Sequence, residues 1–179
     1  TISDTLIIRA IATEVRLPVS ATVEYLVRIV DNDDTGAYYE SGTWNTSVAF
    51  AYGRTSRFTF LNQGPGQFAR FMTSVPQTGY YDVQEIVPNS TNSTDNALYT
   101  ISSDGRVLGS LFMDQRQPTS RWVSLGAFRF QAGAPIEVRV SNTGVYTAGD
   151  VLRTDAVKLV WVEPTLLRQY TVDNDSAGY

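Results

Sequence analysis

Ala97-Leu98-Tyr99-Thr100-Ile101-Ser102-Ser103-Asp104-Gly105-Arg106-Val107-Leu108-Gly109-Ser110-Leu111-Phe112 is the stretch that decides the fold class. Two apolar-rich runs flank Asp104-Gly105. Asp-Gly tolerates the positive φ angles that a two-residue hairpin turn demands, so the stretch predicts two antiparallel strands.

Similar signals extend in both directions. Arg57-Phe58-Thr59-Phe60-Leu61 alternates, and Asn62-Gln63-Gly64-Pro65-Gly66 is a loop built of breakers. Gln67 to Val75 reads as a strand with Phe68, Arg70 and Met72 on one face and Ala69, Phe71 and Thr73 on the other. Tyr80 to Val87 follows, with adjacent Tyr80 and Tyr81 on opposite faces. Downstream, Arg121 to Phe130, Pro135 to Val140 and Asp155 to Trp161 continue the pattern, with Ile136, Val138 and Val140 inward. Upstream, Leu6 to Ile11 and Val15 to Leu17 read as strand, with Pro18 as an interruption. Ala21 to Val30 leads as a strand into a turn containing Gly36. Short strands without an amphipathic helix predict an all-β, antiparallel β-sandwich of jelly-roll type with an extra N-terminal strand segment. The expected core comprises Phe58, Phe60, Phe71, Tyr81, Val83, Ile86, Leu98, Leu111, Trp122, Leu125, Phe128, Phe130, Ile136, Val138, Val140, Val157 and Leu159, with Trp44 beside it.

Composition narrows the chemistry. The 179 residues are 42% hydrophobic and 18% charged, which suits a globular chain with a sizeable core. A net charge of −4 gives no nucleic-acid footprint, and no apolar run approaches a membrane span. Cysteine and histidine are absent, which excludes thiolate nucleophiles and imidazole bases or ligands. No pair of carboxylates stands out as an acid and a base, so the chain reads as non-catalytic.

Val30-Asp31-Asn32-Asp33-Asp34-Thr35-Gly36 returns as Val172-Asp173-Asn174-Asp175-Ser176-Ala177-Gly178. At the same offset, Val15-Arg16-Leu17 faces Val157-Lys158-Leu159. Such a self-match marks a repeated module. It predicts one module over residues 29–162. Residues 1–28 are then the tail of a preceding copy or a donor strand, and residues 163–179 a linker and the start of another. Head-to-tail assembly with copies of itself follows from that reading, through terminal strands that would otherwise be sticky edges.

The ordered motifs Val30–Asp33, Glu40-Ser41-Gly42-Thr43-Trp44, Val75–Val83, Asn96–Ile101, Trp122–Phe130 and Asp155–Leu159 resemble the golvesin C-terminal-like domain, also called the xanthan-lyase carbohydrate-binding-like domain. The resemblance covers about residues 29–162. It implies a jelly-roll-like sandwich appended to secreted bacterial proteins, hence an extracellular or cell-surface setting. Two functions are then expected: a structural module of a filament or tandem array, or a carbohydrate-binding module attached to a polysaccharide-active enzyme.

Three sets of residues are candidates for sites. Asp31, Asp33, Thr35 and Gly36 match the opening of an EF-hand loop, but Gly42 stands where the bidentate Glu belongs. Clustered carboxylates still suit calcium, with Asp31, Asp33 and Asp155 as metal ligands. The alternative is an Asp-rich turn capping backbone amides. Tyr38, Tyr39, Tyr52 and Tyr146 fall in expected loops and could stack on glycans or polysaccharide. Asn45, Asn89 and Asn92 head N-x-S/T sequons, the last two in an expected exposed loop.

Overall fold

The computed structural model describes residues 26–63, 66–88, 90–116 and 122–162, together with the backbone of 2–10 and 13–21. Backbone pairing joins β1 (Ile2–Ala10) to β2 (Thr13–Ala21) in an antiparallel two-stranded ribbon. Pro18 lies inside β2, opposite Thr5, and does not end the strand. A two-stranded ribbon leaves each strand one unpaired edge, where a missing N–H costs little.

The remaining strands are β3 (Val27–Asp31), β4 (Tyr38–Ser41), β5 (Asn45–Ser47), β6 (Ser56–Phe60), β7 (Phe68–Thr73), β8 (Gly79–Ile86), β9 (Ala97–Ser103), β10 (Arg106–Met113), β11 (Val123–Phe130), β12 (Ile136–Ser141), β13 (Val151–Thr154) and β14 (Ala156–Val162). They form a five-stranded sheet in the order β10-β9-β12-β7-β4 and a four-stranded sheet in the order β11-β8-β14-β3. A three-stranded sheet, β13-β6-β5, completes the set. All the ladders are antiparallel. Among the described residues the one helical element is a short 3-10 turn, Leu61–Gln63.

Asp104 and Gly105 both take positive φ, 49° and 74°, which matches the right-handed twist of the strands they join. Strand alternation then sorts the side chains. Ala69, Phe71, Tyr99, Ile101, Val138 and Val140 from one sheet meet Val30, Tyr81, Val83, Leu125, Val157 and Leu159 from the other in a single buried cluster. Tyr80 stays exposed while Tyr81 is buried, as their alternation predicts.

Several expected core positions differ. Phe60 is exposed, Phe58 is half-buried, and the two rings meet edge to face. Leu98 and Ile86 are half-buried. Trp122 is not a core residue: it lies half-buried against the Tyr52 ring, with the Lys158 ammonium 4.5 Å from its centroid. Its neighbours bring a cation and a phenol, so the indole packs at a polar rim.

The interior also holds a polar cluster. Glu85 is fully buried on β8, and its Oε1 accepts a bond of 2.7 Å from the Thr154 hydroxyl. Tyr99 also hydrogen-bonds Glu85, and the Tyr99 hydroxyl accepts from Gln115 Nε2 at 2.6 Å. Gln115 spans two elements by donating to the Arg153 carbonyl and accepting from the Arg153 N–H. Burial, reinforced by the charge of Asp155, pushes the Glu85 carboxyl up to about 8 against the bonds from Tyr99 and Thr154. The folded state therefore holds a proton that the unfolded chain gives up near pH 4.5. Stability from this group is complete below that pH and falls as pH rises toward about 8. Glu85→Gln imitates the protonated acid, so its melting temperature should fall less than that of the parent between pH 5 and pH 8.5. Differential scanning calorimetry across that range checks the slope.

Candidate functional site

The candidate site lies beside the turn that leaves β3. Asp31 closes that strand opposite Ala156, the first residue of β14. The turn is tied by its own side chains: Asp31 N–H donates to Asp34 Oδ2 at 2.9 Å, and Asp33 N–H donates to Asp31 Oδ1 at 2.8 Å. Asn32 N–H donates to the Asp155 carbonyl at 2.9 Å. The Asn32 amide, oriented with its nitrogen toward Thr55, donates to the Thr55 carbonyl and lies 3.1 Å from Asp155 Oδ1.

The fold thus brings Asp31, Asp33 and Asp155 into one neighbourhood, but their roles differ. Asp33 is consumed by the chain: Oδ1 accepts from the Thr55 hydroxyl, and Oδ2 from the Thr55 and Arg54 N–H groups. Burial raises its pKa, yet these bonds outweigh burial and hold the carboxyl below its usual value. Asp155 is buried and accepts from Tyr52 N–H at 2.7 Å. Burial pushes it up to about 7, against the Tyr52 bond and with help from the Asp31 and Asp33 charges. Asp31 is also raised, chiefly by burial, and its Oδ2 is buried without a hydrogen-bond partner. Among the described residues no three acidic, His or Cys side chains gather as a metal cage.

Beyond this turn, Asn32, Asp33, Tyr38, Tyr39, Glu40, Thr46, Thr55 and Arg57 line an open cavity of about 410 Å³. Two of its lining side chains form an ion pair. Arg57 reaches Glu40 through Nε at 2.6 Å and Nη2 at 2.9 Å, and Arg57 also bonds the Thr46 hydroxyl. Tyr38 donates to Glu40 Oε1 at 2.8 Å while its ring packs 5.0 Å from Phe71. Glu40 holds the guanidinium pKa up, and burial followed by the Glu40 charge pushes the Tyr38 phenol well above its usual value. Tyr39 points the other way, 42% exposed, with its hydroxyl bonded to the Gly36 carbonyl. Such a cavity presents fixed donors and acceptors beside an aromatic face, the chemistry that holds a polyhydroxylated ligand.

Of the four expected glycan-binding tyrosines, Tyr38 and Tyr39 line this cavity. Tyr52 instead meets Trp122 edge to face, their centroids 5.2 Å apart, and Tyr146 is exposed between β12 and β13. Sequence reading missed Glu40, Arg57, Asn32, Thr46 and Thr55, although Arg57 stood in an expected strand. Of the sequons, Asn45 sits half-buried in β5, and Asn89 lies outside the described residues. Asn92 is exposed, but Ser93 and Thr94 are buried and Ser93 bridges Val151. The expected exposed loop is therefore pinned to the body at that end.

The antiparallel sandwich fold is shared with known carbohydrate-binding modules. A family 35 carbohydrate binding module from an environmental isolate has this fold: TM-score 0.54 and 14% identity, over 76% of this chain and 93% of that one. The Golvesin C-terminal domain family matches residues 28–161, and the chain belongs to that family. A xanthan lyase from Bacillus sp. (strain GL1) is 30% identical over 142 residues, which is 75% of this chain and 14% of the lyase. The structure of a Paenibacillus xanthan lyase superposes with TM-score 0.66 and 25% identity, over 82% of this chain and 14% of the lyase. The chain thus spans about 14% of the length of these lyases.

The ion pair that lines the cavity is also a structural element. Arg57→Ala leaves the Glu40 carboxylate without its guanidinium and Thr46 without its donor, and a loss of about 1–3 kcal/mol is expected by urea denaturation. Arg57→Lys should recover only part of it, because an ammonium cannot repeat the two-pronged contact.

Proposed function

We propose that this chain is a non-catalytic carbohydrate-binding module, residues 29–162, belonging to a secreted or surface protein that acts on polysaccharide. The observation that carries the reading is the cavity in which Tyr39 stands beside the Arg57–Glu40 pair and the Asn32, Thr46 and Thr55 side chains. An exposed ring covers the apolar face of a sugar, and fixed polar groups select its hydroxyls. The relatives named xanthan lyase support attachment to a polysaccharide-active enzyme, with the chain corresponding to a small part of it. Membership of the family and the likeness to binding modules support a role in holding the polymer while another part of the protein acts on it.

Self-assembly as a filament or array rests on residues 172–178, which lie outside the described residues, and on residues 1–28, of which β1 and β2 pair with each other. The cavity favours glycan binding instead.

The test is affinity electrophoresis and calorimetric titration of the whole chain against neutral and acidic polysaccharides. Binding to at least one polymer is expected, and Tyr39→Ala should weaken it about tenfold or more. Tyr39 is exposed, so its loss should leave the melting temperature nearly unchanged. Failure to retain any polymer would overturn the reading.

The same proposal includes a structural calcium at Asp31 and Asp155, supported by the buried, unpartnered Asp31 Oδ2. A divalent ion held there should raise the melting temperature at pH 8 relative to a chelator, and Asp155→Asn should abolish the rise. Equal melting curves with calcium and with chelator count against the ion and leave the glycan reading intact.

A further inference from the structure

The outer face of the five-stranded sheet carries a line of side chains of which only Tyr39 also lines the cavity. Tyr39, Arg70, Arg139, Thr100 and Ser110 stand directly opposite one another across β4, β7, β12, β9 and β10. Their neighbours along each strand, such as Ala69, Phe71, Val138, Val140 and Ile101, are buried, so the line faces outward. With strands about 4.8 Å apart, it runs for about 19 Å.

Two arginines at directly opposed positions repel. Here the Glu137 carboxylate reaches Arg70, and each guanidinium also lies over an aromatic ring. Arg139 lies 3.6 Å over the Phe68 ring and donates to the Ser141 hydroxyl at 3.1 Å. Arg70 lies 5.0 Å over the Tyr39 ring, and its Nη1 is 3.3 Å from Glu137 Oε2. Arg70 Nε is buried and has no hydrogen-bond partner. Among the outward residues of these strands, Glu137 is the single carboxylate against Arg70 and Arg139, although the whole chain carries a net −4. Among the described residues these hydrogen bonds use Nε of Arg139 and Nη1 of Arg70, which leaves both terminal nitrogens of Arg139 for a two-pronged oxyanion contact and Nη2 of Arg70 for a single one.

We propose that this line binds a uronic-acid polysaccharide laid across the strands, with carboxylates on Arg70 and Arg139, a sugar ring on Tyr39, and hydroxyls at Thr100 and Ser110. The proposal rests on the carbohydrate-binding reading and adds the ligand's class. Tyr39 belongs both to the rim cavity and to the start of the line, so one chain can occupy the two in sequence. A carboxylated glycan fits better than a nucleic acid: the positive charge is one narrow row on an acidic protein, without the broad basic patch that phosphate tracking needs.

The experiment titrates the whole chain with polygalacturonate, alginate and hyaluronate. Fully methyl-esterified polygalacturonate keeps the backbone without its charge, and neutral glucan, mannan and xylan serve alongside. At least one uronate polymer should bind, more weakly as salt rises, and if polygalacturonate is that polymer its ester should bind about tenfold less well. Arg70→Gln/Arg139→Gln should lose about tenfold or more for the uronate. The same variant should bind neutral polymers as the parent does. If it melts lower, Arg139→Gln serves in its place, since the Arg139 side chain makes one hydrogen bond among the described residues, to Ser141, and one ring contact, with Phe68. Failure of all three uronates, uronate binding unchanged in the variants, or single-stranded DNA retained in place of uronate each overturns the proposal. Neutral binding without uronate binding sinks this inference alone, whereas no glycan binding of any kind sinks the function beneath it too.

Discussion

The candidate site depends on the double pairing of β14. That strand lies between β3 and β8, and both partners are remote from it in sequence. Its first residue, Ala156, stands between Asp31 and Ile86. The preceding residue, Asp155, is thereby carried into the interior, where its carbonyl receives the Asn32 N–H and its carboxyl the Tyr52 N–H. One ladder thus fixes two loops at once. The turn after β3 and the segment before β6 converge on the same residue, and the cavity forms where they meet.

Buried polar groups follow a common logic in this sandwich. Each ionisable group inside loses hydration, and the fold compensates by sharing hydrogen bonds among strands. Glu85, Thr154, Tyr99 and Gln115 link β8, β13, β9 and the turn after β10. Asp33 is satisfied so fully that its carboxylate is favoured despite burial. Asp31 and Asp155 are satisfied less fully, and burial raises the pKa of both. Acidic residues that look equivalent in the sequence thus divide into a turn clamp and two buried acids.

Aromatic rings at the surface divide in a similar way. Tyr38 turns in, packing on Phe71 and bonding Glu40, while Tyr39 turns out toward Arg70. Tyr52 closes over Trp122 with Lys158 above the indole. Tyr39, Phe68 and Trp122 carry cations on the outer faces or at the rim, whereas Phe71, Tyr81 and Tyr99 lie in the core. A tyrosine count cannot separate these cases, because a ring's partner depends on the strand laid next to it.

Much of the fold was legible because its signals are local. Asp104-Gly105 specified its turn through backbone sterics, and the period of two sorted Phe68, Arg70 and Met72 from Ala69 and Phe71. It also placed Tyr81 inside and Tyr80 outside. Only part of the site was legible in the same way: Asp33, Tyr38 and Tyr39 could be named, but the Glu40–Arg57 pair could not. Those two residues lie on β4 and β6, in different sheets, and no local pattern announces which sheets meet. Trp122 and Phe60 were misplaced for a related reason, since hydrophobicity gives a residue's tendency to be buried and not the depth of its strand end. The amino-acid sequence by itself determined the strands, their turns and the inward face of each, because those follow from φ/ψ sterics and side-chain alternation. The tertiary structure decided which strands are neighbours and in what register. That choice sets two arginines side by side and Asp155 near Asp31, since such contacts exist only once distant segments share a sheet.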